Sequence, residues 1–217
     1  MREYIDKNKL KTFAEKSAEV QKLINTALHI LDIFGIPLDS TPRRIERMAT
    51  AFLACGDIKQ ISDFKTSKDL NDGYALKTKE IINYINTNFG ENISSGSYDD
   101  IRRQDLKLLT IAEIVLQSSP NAATNDSTRG YTLNPTYAEL IRNFGTKNWE
   151  KSVAEQLKNI EPLSAKLKRE REVKKVSVTL PSGGKLTFSA GEHNDLQKAI
   201  IEEFLPRYGY GAEVLYV

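Results

Sequence analysis

Between Lys9 and Phe34 the residues Leu10, Phe13, Val20, Leu23, Ile24, Ala27, Leu28 and Leu31 follow the spacing of one helix face, and Gly35 and Pro37 then stop the pattern. An apolar stripe of that length has to be buried against other elements, and the next elements are again helical. "STPRRIERMATAFLA" opens a second helix, with Ser40 or Thr41 as N-cap and Pro42 in the first turn. Ile45, Met48, Ala49, Phe52 and Leu53 share its inner face. A third helix is predicted over 77–89, ending at Gly90. In "ISSGSYDDIRRQDLKLLTIAEIVLQSS" Ser97 and Asp100 resemble a capping box, and Leu106, Leu109, Ile111, Ile114 and Val115 carry a helical pattern up to Ser118. The tract "SPNAATNDSTRG" is polar and rich in turn residues, which predicts a loop.

From residue 130 the pattern changes. "GYTL" reads as a short strand, "NPTYAELIRNFG" as a helix ending in Gly145, and "TKNWEKSVAEQLKNI" as a second helix behind a tight turn. After a basic stretch, "KKVSVTLPSGGKLTFSAG" alternates about Pro181-Ser182-Gly183-Gly184 and predicts a hairpin. Helix, strand, helix, turn, helix, hairpin is the order of a winged helix-turn-helix. "EHNDLQKAIIEEFLPRYG" is then a helix closed by Pro206 and Gly209, and "GAEVLYV" is a largely apolar strand.

Bulk properties exclude several classes. The formal net charge of +2 over 217 residues excludes a uniformly basic nucleic-acid binder, so any such role rests on local clustering. The single cysteine, Cys55, excludes an intramolecular disulfide and fits a reducing cytoplasm; its apolar helical context predicts an inert core thiol. No apolar run approaches the ~18 residues of a membrane span, and the N-terminus has no apolar core of a secretory signal. Two histidines and one cysteine give no zinc spacing, and His29, set among apolar residues, reads as a satisfied structural histidine. "PSGGKLT" lacks the upstream glycine of a phosphate loop and has Leu186 in place of its Ser or Thr.

Three places carry candidate chemistry. A recognition helix presents its N-terminal side chains to the major groove, and here those are Thr146, Lys147, Asn148 and Lys151, with Trp149 facing inward. Lysine reaches guanine O6 and N7, and asparagine pairs with adenine N6 and N7; an ordinary helical hairpin with a solvated face gives the same pattern. "KLKREREVKK" contains Lys168 and Arg169 among six basic residues, which suits phosphate contacts or a plain charged helix face. Arg102 and Arg103, just inside a helix start, are candidates for gripping phosphate or guanine, or for facing water, and Arg129 beside the polar loop is a further DNA-binding candidate. In the last helix Glu192, Leu196, Ala199 and Glu203 fall on one stripe beside Ile200, so Glu203 is expected to face the apolar side and Glu202 to face away. A carboxylate so placed needs a cation, either a metal ion or a basic side chain.

Read together, "FGIPLDSTPRRIERMATAFLA", "ISSGSYDDIRRQDLKLL", "NAATNDSTRGY" and above all "FSAGEHNDLQKAIIEEFLPRYGYGAEVLYV" resemble the BsuBI/PstI family of type II restriction endonucleases, from about residue 34 onward. The resemblance implies a nuclease that cuts both strands of a short palindrome, CTGCAG in the named members, as a homodimer using Mg2+. It implies a helical DNA-recognising region followed by a PD-(D/E)xK core that begins with a helix and a strand. On that reading Glu203, with Glu192 as the other candidate, is the catalytic glutamate contributed by the last helix, and Glu203 is a metal ligand. "GAEVLYV" is then the first strand of a core whose remaining strands lie beyond this sequence, and the chain on its own is expected to bind DNA without cutting it.

The expected fold is mainly α with a small β component: a helical region over 1–95, a winged-helix-like DNA-recognition region over 96–190, and the start of a truncated nuclease core over 191–217. The alternative is a non-enzymatic winged-helix regulator; a third class is a purely structural interaction domain. No membrane partner is expected.

Overall fold

The first apolar run folds as two helices, α1 (Lys11–Ala14) and α2 (Ala18–Ile33). The break lies at Ser17, whose hydroxyl accepts the Val20 N–H at 3.3 Å and caps α2. The structure, a computed structural model, describes residues 2–119, 129–173, 175–189, 191–212 and 214, with residues 170–173 described by their backbone alone. Gly35, at a φ of 83°, closes α2 in the left-handed region. In α3 (Pro42–Cys55) the Thr41 hydroxyl accepts the Arg44 N–H at 3.4 Å and Pro42 occupies the first turn. Two tight 3-10 turns, Ile61–Thr66 and Leu70–Asp72, lead to α4 (Thr78–Phe89), which ends on left-handed Gly90.

α3 is the centre of this layer and packs on both α2 and α4. Leu23, Ile24, Leu28 and Leu31 from α2, Phe52 and Leu53 from α3, and Ile81, Ile85 and Phe89 from α4 are buried in one core. Cys55 is buried there too, and burial pushes its thiol far above the usual range, as expected of an inert core residue. A charged cluster sits inside the same layer. Lys16 donates to the Phe89 carbonyl at 2.9 Å and to Glu91 at 2.6 Å, and lies 3.6 Å from Glu46. Arg43 forks onto Glu91 at 2.8 and 2.7 Å and also reaches Glu46 at 2.7 Å. The cluster ties the end of α1, the start of α3 and the end of α4 to one point.

The next stretch departs from its expected single helix. α5 (Tyr98–Asp100) runs into a π-helical turn, Ile101–Asp105, and then α6 (Lys107–Ile111). Ser97 caps nothing; Ser94 instead accepts the Gly96 N–H. After α6, Glu113 adopts a φ of 61° and Val115–Gln117 becomes strand β1, pairing antiparallel with β2 (Tyr131–Leu133) with Val115 opposite Leu133. Ile114 and Val115 are β-branched and buried on this ladder, so tertiary pairing overrides the helical spacing. Tyr131 also exchanges backbone hydrogen bonds with Leu76 at 2.8 and 3.0 Å. A Cβ on Gly130 would stand 2.9 Å from the Ala75 Cβ, so this close approach requires glycine. The predicted loop over 119–130 falls mostly on residues 120–128, outside the described residues.

The remaining elements are α7 (Pro135–Arg142), α8 (Trp149–Leu157), α9 (Leu163–Val173), the antiparallel hairpin β3 (Lys175–Thr179) and β4 (Lys185–Ser189), α10 (Glu192–Ala199), a second π-helical turn at Ile200–Phe204, and α11 (Leu205–Tyr208). The chain divides into two compact units, Met1–Leu163 and Ser164–Val217, whereas the sequence placed boundaries after 95 and 190. The hairpin expected as a wing beside α7 and α8 therefore belongs to the second unit. There Val176, Val178, Leu186 and Phe188 form its inner face, β3 packs on α10 and the π-turn, and Val178 and Ile201 are buried. The strand expected in "GAEVLYV" falls largely on residues 213 and 215–217, outside the described residues. The fold is mainly α with two two-stranded sheets among the described residues, and no described helix is long and apolar enough to cross a membrane.

Candidate nucleic-acid interface

The turn between α7 and α8 is built to hold one helix end rigidly in the open. Asn134 caps α7 by accepting the Thr136 N–H at 3.0 Å, and Tyr137, Ala138, Leu140 and Ile141 anchor its inner face. In its last turn Arg142 donates to the Ser67 carbonyl at 3.0 and 2.6 Å, to buried Asp69 at 2.7 Å and to Asp72 at 3.2 Å. Gly145 then takes a φ of 83°, a conformation that a side chain would strain although the space around it is open. Trp149, the first residue of α8, is buried: its indole N–H donates to the Leu140 carbonyl at 2.7 Å and its ring meets Phe144 edge-on at 4.9 Å.

Pinning Trp149 leaves its neighbours outside. Thr146, Lys147, Asn148, Glu150 and Lys151 are all exposed. Asn148 occupies the N-cap position yet its side chain caps nothing, so its carboxamide is directed to the surroundings. Residues 144–151 line a shallow cavity of about 470 Å³ together with His29. His29 is the satisfied structural residue expected: its Nδ1 lies 3.3 Å from the Tyr4 hydroxyl, its Nε2 lies 3.8 Å from Glu150, and it sits among the Tyr4, Phe144 and Trp149 rings. The positive end of the α8 dipole adds to the two lysines at this edge.

The other candidates lie away from this turn. Arg102 and Arg103 project from the first π-turn and share Asp99, at 2.8 and 3.0 Å. Arg129 donates to the Gln117 side chain at 3.0 Å at the open end of the β1–β2 ladder. Lys168 and Arg169 are exposed on α9, in the second unit. Sequence reasoning missed Arg142 as a strut, because its partners lie between the two short 3-10 turns and at the end of the second, a stretch with no helical periodicity to announce them.

Glu192 and Glu203 are both exposed, but so are Leu196 and Ile200, so the stripe expected to face the core, Glu203 included, is open to the surroundings. A π-turn at Ile200–Phe204 interrupts the helical repeat within this element. Ile201 takes the buried position, and Glu202 turns inward to accept the Thr179 N–H at 2.7 Å. Leu196, Ile200, Phe204 and Tyr208 are left exposed.

An α7–turn–α8 pair that pins the second helix by an inward tryptophan and exposes its polar N-terminus has the organisation of a helix-turn-helix DNA-binding unit. Comparison with known proteins gives the same class. The model of the BsuBI/PstI restriction endonuclease HTH domain matches residues 21–165, and that of the BsuBI/PstI restriction endonuclease domain matches residues 176–217. The chain belongs to the BsuBI/PstI restriction endonuclease family. It is 27% identical over 195 residues to the type II restriction enzyme BsuBI of Bacillus subtilis, covering 89% of this chain and 60% of that protein. The SdaI restriction endonuclease structure superposes with a TM-score of 0.54 at 27% identity, over 89% of this chain and 59% of that one. The chain thus spans about three-fifths of the length of these relatives.

Proposed function

We propose that this protein acts as a type II restriction endonuclease, cleaving both strands of a short CTGCAG-like palindrome as a homodimer in the cytoplasm, and that α8 is its recognition helix. The observation that carries the reading is the exposed row Lys147, Asn148 and Lys151 around the buried Trp149 anchor, inside a stretch that matches the family's helix-turn-helix domain. Lys147 and Asn148 contact base edges, Lys151 flanks them, and Arg102, Arg103, Arg129, Lys168 and Arg169 contact the sugar-phosphate backbone. A regulator with no catalytic role would use the same helix pair, but the match of residues 176–217 to a restriction endonuclease domain favours the nuclease.

Magnesium is the cation such hydrolysis calls for, with Glu203 as the proposed ligand and Glu192 as the second candidate carboxylate. Magnesium takes about six oxygen ligands, and among the described residues no three His, Cys, Asp or Glu side chains converge. Glu192 and Glu203 alone do not fit the ion.

The test is competition binding on a duplex selected from a random pool against an unselected one. Lys147→Ala and Asn148→Ala are each expected to lose about 1–3 kcal/mol of discrimination, whereas the Lys168→Ala/Arg169→Ala variant weakens both duplexes equally and flattens the salt dependence. Equal losses on both duplexes for all of these variants would remove α8 as the reading helix.

A further inference from the structure

Five side chains left apart by their positions in the sequence meet on one face of the first unit. The Lys79 ammonium stands over the exposed Tyr98 ring, 5.9 Å from its centroid. Tyr98 begins α5, and one turn later the π-turn carries Arg102 and Arg103. Arg102 and Arg129 both act electrostatically on the Tyr131 hydroxyl, whose pKa is raised by burial and drawn back by their charges. Arg129 is held by Gln117, and Tyr131 is bridged to Leu76, which places the start of α4 beside the ladder. α4 also packs on α5 and the π-turn.

This face has a surplus of positive charge. Asp99 is the carboxylate shared by Arg102 and Arg103, and its own pKa is lowered by the hydrogen bond from Arg102. One carboxylate cannot neutralise two guanidinium groups, and Lys79 rests on a ring rather than on an acid. The local backbone is also specialised: a π-turn displays the two arginines, and Gly130 admits the Ala75–Leu76 backbone at a distance that a side chain would block.

We propose that Lys79, Tyr98, Arg102, Arg103 and Arg129 form a second DNA-contact surface, separate from the α8 edge, that grips the phosphate backbone without reading sequence. The proposal rests on the reading of this chain as a DNA-binding protein, and it assigns a joint role to residues that α8 does not include. Guanidinium and ammonium groups are the natural ligands of phosphate oxygens, and an exposed tyrosine supplies a further donor to the same backbone. The Asp99 carboxylate competes with phosphate for Arg102 and Arg103, so it sets the strength of the surface.

The test uses the full 217-residue chain and a random-sequence duplex, with affinity followed over a salt series. Lys79→Gln/Arg129→Gln is expected to lose about tenfold in affinity and to lower the slope of log K against log salt by about two. Asp99→Asn is expected to gain several-fold in affinity and steepen the slope, because two arginines are released. A loss-of-function variant can fail through misfolding; this gain cannot arise that way. Unchanged affinity and slope in both variants, while Asn148→Ala still relaxes discrimination, would overturn the second surface and leave the α8 reading intact. Weaker binding by Asp99→Asn would overturn it as well. Failure of the unaltered chain to bind any duplex would overturn both.

Discussion

Lys16→Met is expected to destabilise the first unit by about 3–5 kcal/mol, the cost of stripping a buried charge cluster of one partner. The substitution keeps most of the side-chain volume and removes the ammonium that donates to Glu91 and the Phe89 carbonyl and faces Glu46 at 3.6 Å. Glu46 is fully buried, and one of its oxygens has no hydrogen-bond partner even with Lys16 present. Desolvation raises its pKa, with Arg43 and Lys16 pulling it down. A carboxyl raised in the folded state costs stability above its folded pKa and not below its unfolded one. The penalty of Lys16→Met should therefore shrink as pH falls and Glu46 takes up a proton. Glu46→Gln in the same chain should recover a large share of the loss at neutral pH. Urea unfolding followed by the emission of Trp149, the one tryptophan of the chain, measures all three. A loss below about 1 kcal/mol in Lys16→Met would show that water already solvates the cluster.

Trp149→Ala is expected to cost a similar ~3–5 kcal/mol, since it opens a cavity between Phe144 and Phe34 and leaves the Leu140 carbonyl without its donor. Its second effect matters more for function. Lys147, Asn148 and Lys151 are held at the surface by that anchor, so discrimination between duplexes should vanish well before the fold does. Trp149→Phe keeps the ring contact and loses only the hydrogen bond, and should retain most of the discrimination. Calorimetric melting combined with competition binding separates the two effects. An alanine variant that melts early but still discriminates would show that α8 is positioned by other contacts, such as the Arg142 strut.

Much of the first unit was legible in the sequence, because helices announce themselves by spacing and punctuation. Thr41 and Pro42 opened α3 as expected, and Gly35, Gly90 and Gly145 sit where the left-handed conformation is needed. β1 was read as helix, since Ile114 and Val115 continue the helical spacing and only the partner strand decides between the two. The ion clusters could not be read at all: Lys16 and Glu91 are 75 residues apart, as are Arg142 and Ser67. At the last helix the spacing grouped Glu192, Leu196, Ala199 and Glu203 on one stripe but could not show which side of the helix is covered. Helical spacing identifies a stripe but not what covers it, and here Glu192, Leu196, Ile200 and Glu203 are all exposed while Glu202 accepts the Thr179 N–H.

With α8 as the recognition helix, its N-terminal edge lies in the major groove. Photo-crosslinking tests it most directly, using duplexes with 5-iodouracil in place of thymine, because that substituent occupies the position of the thymine methyl in the major groove. Peptides containing residues 146–151 should carry the crosslinked nucleotide, and Asn148→Ala should reduce the yield on a selected duplex without reducing total binding. Crosslinks confined to the second unit, or none to residues 146–151 while the duplex is bound, would contradict the account.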